Sequence, residues 1–232
     1  MNKIHPQHGF TLVEVAIVLV ILGLLLGGMM APLSARQEQD RRDKNAELLE
    51  KAREALIGYA VVNRRLPCPD RDTPGSLTSG QENSCVIDSS RPPPTGRLPW
   101  VTLGIPGEYS AWGAPNLINY AVISAFTGEI KLTTTGSGSD TINIYNAAGN
   151  CGGPPGNLVA LNIPALVWNT AKTDYANRAP ARADEAENAN GRDGCYVYRE
   201  YSSLDNQEFD DQMIWLSPNL LFNRMLEAGV LP

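Results

Sequence analysis

The chain has 232 residues, of which 43% are hydrophobic, and it carries a formal net charge of −6. From residue 65 onward eleven Lys and Arg face eighteen Asp and Glu, a net of −7, the wrong sign for bulk binding of DNA or RNA. The only two histidines, His5 and His8, both precede Gly9. A cut at Gly9 therefore removes Ser-His-Asp and Cys-His catalysis, and most catalytic zinc sites, in one step.

Phe10 to Met30 is an apolar run of 21 residues, about 31 Å as a helix, which matches a bilayer core. Glu14 is the one carboxylate inside it. An ionised group in a span is costly and normally marks a function with a specific partner. A secretory signal peptide has a shorter apolar region ending in a small-residue cleavage site, which this run lacks. An ordinary signal anchor accounts for the length but not for Glu14 or the Gly9-Phe10 junction.

Gly9-Phe10-Thr11-Leu12-Val13-Glu14 resembles the N-terminal processing signal of type IV prepilins and type II secretion pseudopilins. The resemblance implies that a cytoplasmic peptidase cuts after Gly9 and that the new terminus, Phe10, is N-methylated. It also implies that Glu14 pairs with the amine of a neighbouring subunit as that subunit joins a filament. The chemistry is coherent. The amine at Phe10 is positive, Glu14 follows on the same helical face, and a carboxylate in the first turn suits the helix dipole. Lys3 is the one fixed positive charge of the Met1–Gly9 leader, which favours a cytoplasmic leader. Gly23 and Gly27 form a G-x-x-x-G pair, followed by Gly28 and Pro32. They read either as close helix packing in lipid or as a weak, extensible helix.

Ser34 to Arg64 continues the helix, without proline and with Gly58 as its one glycine. Glu38–Arg42, Asp40–Lys44 and Glu47–Lys51 have the favourable order for ion pairs one turn apart. Apolar positions appear only in the second half: Leu48, Leu49, Ala52, Leu56, Tyr59, Ala60 and Val62. Several recur at helical spacing, so this stripe should dock on a sheet. The charged first half reads as a solvated bridge. Pro67 and Pro69 should stop the helix.

The head is rich in the chain's 21 Gly and 17 Pro, so it should be loop-rich. Cys68, Cys85, Cys151 and Cys195 contain no C-x-x-C pair, and behind a membrane anchor an even count fits structural disulfides. Three pairings exist; Cys68–Cys85 and Cys151–Cys195 close the shorter loops. Residues 67–97 read as a long pinned loop. Ala111-Trp112-Gly113-Ala114-Pro115, with Tyr120 beyond, resembles the W-G-x-P…Y segment of major pseudopilins. Ser110 stands where those proteins carry an acid, and the spacing to the tyrosine is longer. The residues themselves read as a Trp packed over a turn. Strands are expected at Asn119–Phe126, Glu129–Thr134 and Thr141–Tyr145 as an antiparallel meander. A broken or edge strand follows at Leu158–Asn169, interrupted by Pro164, then a strand at Cys195–Tyr201. A helix over Leu216–Ala228 should be capped by Ser217 with Pro218 in its first turn. Trp100, Trp112, Trp168 and Trp215 read as core residues.

Two acidic clusters raise calcium as an option. Asp184, Glu185, Glu187 and Asp193 read as an exposed mobile loop. Asp205, Glu208, Asp210 and Asp211 read as the better candidate, because Phe209 and Trp215 could anchor them. Major pseudopilins hold calcium at the end of the head. No other cofactor and no catalytic residue is expected.

The expected fold is α+β: a long N-terminal spine helix, transmembrane in one half and amphipathic in the other, packed on an antiparallel sheet as in pilins. The segments are 1–9 leader, 10–33 transmembrane helix, 34–66 stalk and 67–232 periplasmic or extracellular head. The expected role is a minor or accessory structural subunit of a type IV pilus-like filament, held singly spanning in the inner membrane with its leader cytoplasmic. Its partners would be other pilin-like subunits, a prepilin peptidase and methylase, an inner-membrane assembly platform and lipid, with no nucleic acid. The alternatives are a type II secretion pseudopilin and a membrane-anchored ligand-binding protein with a borrowed anchor.

Overall fold

The computed structural model describes residues 11–106, 110–113, 116–153, 157–171, 183–190, 193–204 and 207–231, without the side chains of 25–33. Gly9, Phe10, Ala114, Pro115 and Asp205 lie outside the described residues. The chain divides into two compact units, Met1–Arg42 and Asp43–Pro232. Helix α1 (Leu12–Asn63) is followed by β1 (Thr95–Arg97), β2 (Asn119–Val122), β3 (Asn143–Tyr145), β4 (Leu158–Ala160) and β5 (Ala165–Asn169). Then come α2 (Ala183–Asn190), β6 (Cys195–Val197), β7 (Gln212–Leu216) and α3 (Pro218–Glu227).

In the first unit, ten large apolar side chains between Leu12 and Leu24 are 47–88% exposed. Among the described residues no helix is long and apolar enough to cross a membrane. The apolar sequence runs on through residues 25–30, whose side chains lie outside the description, so the expected greasy half of the spine is described only over Leu12–Leu24.

In the second unit α1 contributes Leu49, Ala52, Leu56, Ile57 and Ala60 to a core shared with Tyr120, Val122, Leu166, Val167, Leu216, Leu221 and Met225. Their spacing of three and four residues keeps one helical face apolar. Val62, expected on that face, is 80% exposed, while Ile57 is buried. Lys51 pairs with Glu47 at 2.7 Å. The helix ends where Arg64 adopts a left-handed backbone (φ 56°), before the prolines are reached. The Arg64 carbonyl then accepts from the Ile130 N–H at 2.8 Å.

The strands form two sheets. One is antiparallel with order β1-β2-β5-β7; the other has order β4-β3-β6. In the second sheet β3 and β6 are parallel, so the head is not wholly antiparallel. β5 reads Ala-Leu-Val-Trp-Asn and is buried at every position, as a central strand covered on both faces must be. Pro164 does break the 158–169 stretch into β4 and β5, but β5 lies inside the sheet and not at its edge.

The expected meander is corrected. Beyond Val122 the chain turns into a 3-10 helix, Ser124–Thr127. The buried Asp140 carboxylate accepts from the Ser124 N–H at 2.9 Å, the Ser124 hydroxyl at 2.7 Å and the Ala125 N–H at 3.3 Å. Residues 129–134 form no strand, because the backbone of Ile130 is committed to the end of α1. β1 and β7 were not expected from sequence, nor was α2, which replaces the mobile loop read there.

Both outer edges near α2 are closed by local groups. Asp70 and Arg97 form an antiparallel bridge that covers the free side of β1, with N–H···O distances of 2.9 and 2.8 Å. On β6 the amide of Asn188 does the same work. Its Nδ2 donates to the Val197 carbonyl at 3.0 Å, and its Oδ1 accepts from the Val197 N–H at 2.7 Å. α3 begins with Ser217 accepting from the Leu220 N–H and with Pro218 in its first turn. Disulfides join Cys68 to Cys85 and Cys151 to Cys195, with Cα–Cα separations of 5.8 and 5.9 Å.

Candidate functional site

The start of α1 is built by two side chains. Thr11 precedes the first helical turn, and its hydroxyl accepts from the Glu14 N–H at 3.3 Å. Glu14 Oε2 in return accepts from the Thr11 N–H and the Thr11 hydroxyl, both at 3.0 Å. This is a capping box, in which two backbone donors left over at a helix start are satisfied reciprocally. Thr-x-x-Glu before an apolar run is a legible signal for it, and the sequence reading missed it. Glu14 is exposed, so its carboxylate serves its own helix end and still faces outward.

Leu12, Val13, Ala16, Ile17, Val20 and Ile21 line a shallow, wholly apolar groove beside Glu14. A Cβ at Gly23 would meet nothing within 4 Å, so no packing among the described residues asks for glycine there. Exposed apolar surface of this extent calls for lipid or a partner helix.

The head's own end of α1 is held by polar groups. Asn45 is fully buried. Its Nδ2 donates to Gln212 Oε1 at 2.7 Å, and its Oδ1 accepts from Asn169 Nδ2 at 2.6 Å, which ties the helix to β5 and β7. Farther along, Glu82 accepts from Arg65 Nη1 and Nη2 at 2.8 and 2.7 Å, from the Tyr59 hydroxyl at 2.8 Å and from the Cys68 N–H at 3.1 Å. Burial opposes the charge on Glu82, but Arg65, Cys68 and Tyr59 together outweigh it and hold the carboxyl below its usual range. Burial, then the Glu82 carboxylate, pushes the Tyr59 hydroxyl up to about 12.

The acidic residues are regrouped relative to their sequence clusters. Asp184 and Glu185 lie in the first turn of α2. Glu185, Asp210 and Asp211 bring carboxylate oxygens within 4.8 Å of one another, with Glu185 and Asp211 buried. Glu185 Oε1 accepts from the Asp210 N–H at 2.8 Å, and Asp211 Oδ2 from Asn188 at 2.8 Å. This all-oxygen set could hold a hard cation such as calcium. Glu208 is not part of it. Glu187 has its carboxyl raised by burial and then by Asp193. Cys151 and Cys195 beside it are in a disulfide and offer no thiolate to a metal. Trp112 sits half-buried over the Ser110–Gly113 turn, where the Gly113 N–H donates to the Ser110 carbonyl at 2.9 Å.

Residues 4–30 match the family model for the prokaryotic N-terminal methylation motif. The chain therefore carries a type IV prepilin-like signal. That motif supports a type IV pilin- or pseudopilin-like protein and marks structural proteins of that kind, not an enzyme family. No curated protein and no solved structure matches the chain.

Proposed function

We propose that this chain is a minor or accessory structural subunit of a type IV pilus-like filament. In this reading it is cut after Gly9, N-methylated at Phe10, and held by a single inner-membrane span over 10–33 with its leader cytoplasmic and its head periplasmic. An assembly platform then draws it into the filament through the N-terminal helix. The observation that carries the reading is the exposed apolar stretch Leu12–Leu24, interrupted only by Glu14, under a matched methylation motif. A neighbouring subunit's new amine would meet the outward-facing carboxylate of Glu14, and an unmatched charge there would be penalised. That pairing would set axial register. A type II secretion pseudopilin would carry the same signal.

Two measurements test this. Mass spectrometry of the protein purified from membranes of a host with a prepilin peptidase should find a methylated Phe10 terminus; a terminus at Met1 would sink the reading. Glu14→Ala should leave membrane insertion intact and abolish incorporation into sheared filaments. Normal incorporation would remove the pairing role.

A further inference from the structure

The Cys151–Cys195 crosslink lies where three elements meet. Cys151 follows the 3-10 turn Ala148–Asn150, Cys195 opens β6, and α2 is fixed to both. The Ala148 N–H donates to Asp184 Oδ1 at 2.7 Å, and Asn188 holds the Val197 backbone. Glu187 sits between those two anchors on α2, and its carboxylate lies within 4.8 Å of both sulfurs. Asp193, in the turn before β6, has Oδ1 held by the Cys195 N–H at 3.0 Å. It faces Glu187, whose carboxyl it helps burial to raise. Cys151, Cys195 and Asp193 also line a cavity of about 270 Å3, and Asp193 is exposed, so an ion has a way in from solvent.

The other crosslink shows what is unusual here. Glu82 stands by Cys68 in a similar way, but Arg65 donates to both of its carboxylate oxygens. Among the described residues no cation stands against Glu187, and what acts on its charge is burial and a second acid. Two carboxyls held together next to two sulfurs leave this corner short of a positive ion.

From this geometry we propose that Cys151, Cys195, Glu187 and Asp193 form a redox-gated zinc site. In the oxidised chain the sulfurs are bonded to each other and take no metal. A dithiol reductant opens the site. It gives up two electrons and two protons, the Cys151–Cys195 bond breaks to two thiols, and the reductant closes to its own disulfide. Zn2+ then forms two Zn–S bonds and displaces both thiol protons to water, and the two carboxylates complete a tetrahedron. Zinc bonds of about 2.3 Å to sulfur and about 2.0–2.2 Å to oxygen put tetrahedral ligands roughly 3.3–3.8 Å apart. The sulfurs and the Glu187 carboxylate already lie within 4.8 Å of one another, so only small shifts are needed. Thiolates disfavour calcium and magnesium, and carboxylates disfavour Cu(I). The metal joins the turn at Cys151, α2 and β6 as the disulfide joins two of them, so this corner stays crosslinked in either redox state. The site is independent of which filament takes the chain.

The test uses the full chain in detergent micelles, with Co2+ as the spectroscopic stand-in for Zn2+. One sample is kept oxidised. The other is reduced with dithiothreitol, which is then removed by gel filtration under argon. The reduced chain should develop the sulfur-to-cobalt charge-transfer band and the strong visible bands of tetrahedral cobalt, saturating at one ion per chain and bleached by Zn2+. The oxidised chain should develop neither. Cys151→Ser should lose the saturable band. Glu187→Gln, which keeps both cysteines and should keep the oxidised unfolding midpoint, should weaken cobalt binding by at least about tenfold, the loss that even an outer-shell partner causes. The proposal is overturned if the reduced chain shows no thiolate–cobalt band, if the oxidised chain shows it equally, if it survives Cys151→Ser unchanged, or if Glu187→Gln binds cobalt as the unaltered chain does.

Discussion

One helix treats its surroundings in two opposite ways. Between Asn45 and Ala60, α1 buries a stripe of apolar side chains and anchors its polar entry point to Asn169 and Gln212. Between Leu12 and Leu24 it leaves the large apolar side chains open. The difference teaches where each stretch obtains its stability. The head's portion is satisfied inside the chain, whereas the N-terminal portion needs something outside it. Polar groups follow the same division: Asn45 and Glu82 are met by other head groups, and among the described residues Glu14 meets its own helix start.

Four substitutions sharpen that contrast. Glu14→Ala should have the largest consequence, loss of filament incorporation, with no change in the denaturant unfolding of the head. Leu56→Ala should do the reverse: it removes a side chain that is 1% exposed, at a cost of about 2–5 kcal/mol, read as a lowered denaturation midpoint with membrane insertion unchanged. Glu82→Gln should cost the head about 1–3 kcal/mol near neutral pH. Because the Glu82 carboxyl is held below its usual range, its contribution is present above the unfolded glutamate value, about 4.3. That contribution fades as pH falls through the lowered folded value. A pH series of unfolding midpoints should therefore show a shallower acid limb in the variant. Thr11→Ala should have the smallest effect, about 0.5–2 kcal/mol from the lost cap, seen as faster amide exchange in the first turn of α1. If Thr11→Ala also blocked incorporation, capping and not intersubunit pairing would be the job of Glu14.

What the sequence disclosed was mostly local. Gly9 to Glu14 is a contiguous motif. The helical spacing of Leu49, Ala52, Leu56 and Ala60 is set within one element, as is the Ser217-Pro218 start of α3. The two short-loop cysteine pairs are those joined in the structure. What it concealed was set by distant partners. Ser124 and Ala125 look like a strand continuing from β2, until Asp140 folds back to take their N–H groups. Ile130 looks like the middle of a strand, until its N–H is taken by Arg64. β1 is short and glycine-bearing, and it exists because Asp70 and β2 hold its two sides. Glu185 and Asp210 belong to different acidic runs and meet only because α2 docks beside β6. The buried indole N–H of Trp168, which meets no acceptor among the described residues, has no sequence signal at all, since a tryptophan in an apolar strand reads as filling.

The amide of Asn188 has a consequence beyond the fold of α2. Under the proposed role, a subunit stacked in long arrays must offer its neighbours one grip and refuse others, and a bare strand margin is an indiscriminate grip. By posing as a decoy strand one residue long, Asn188 occupies the outer backbone edge of Val197 and withdraws that margin from any passing copy. In the proposed filament, strand pairing between heads through this edge of β6 is thereby blocked.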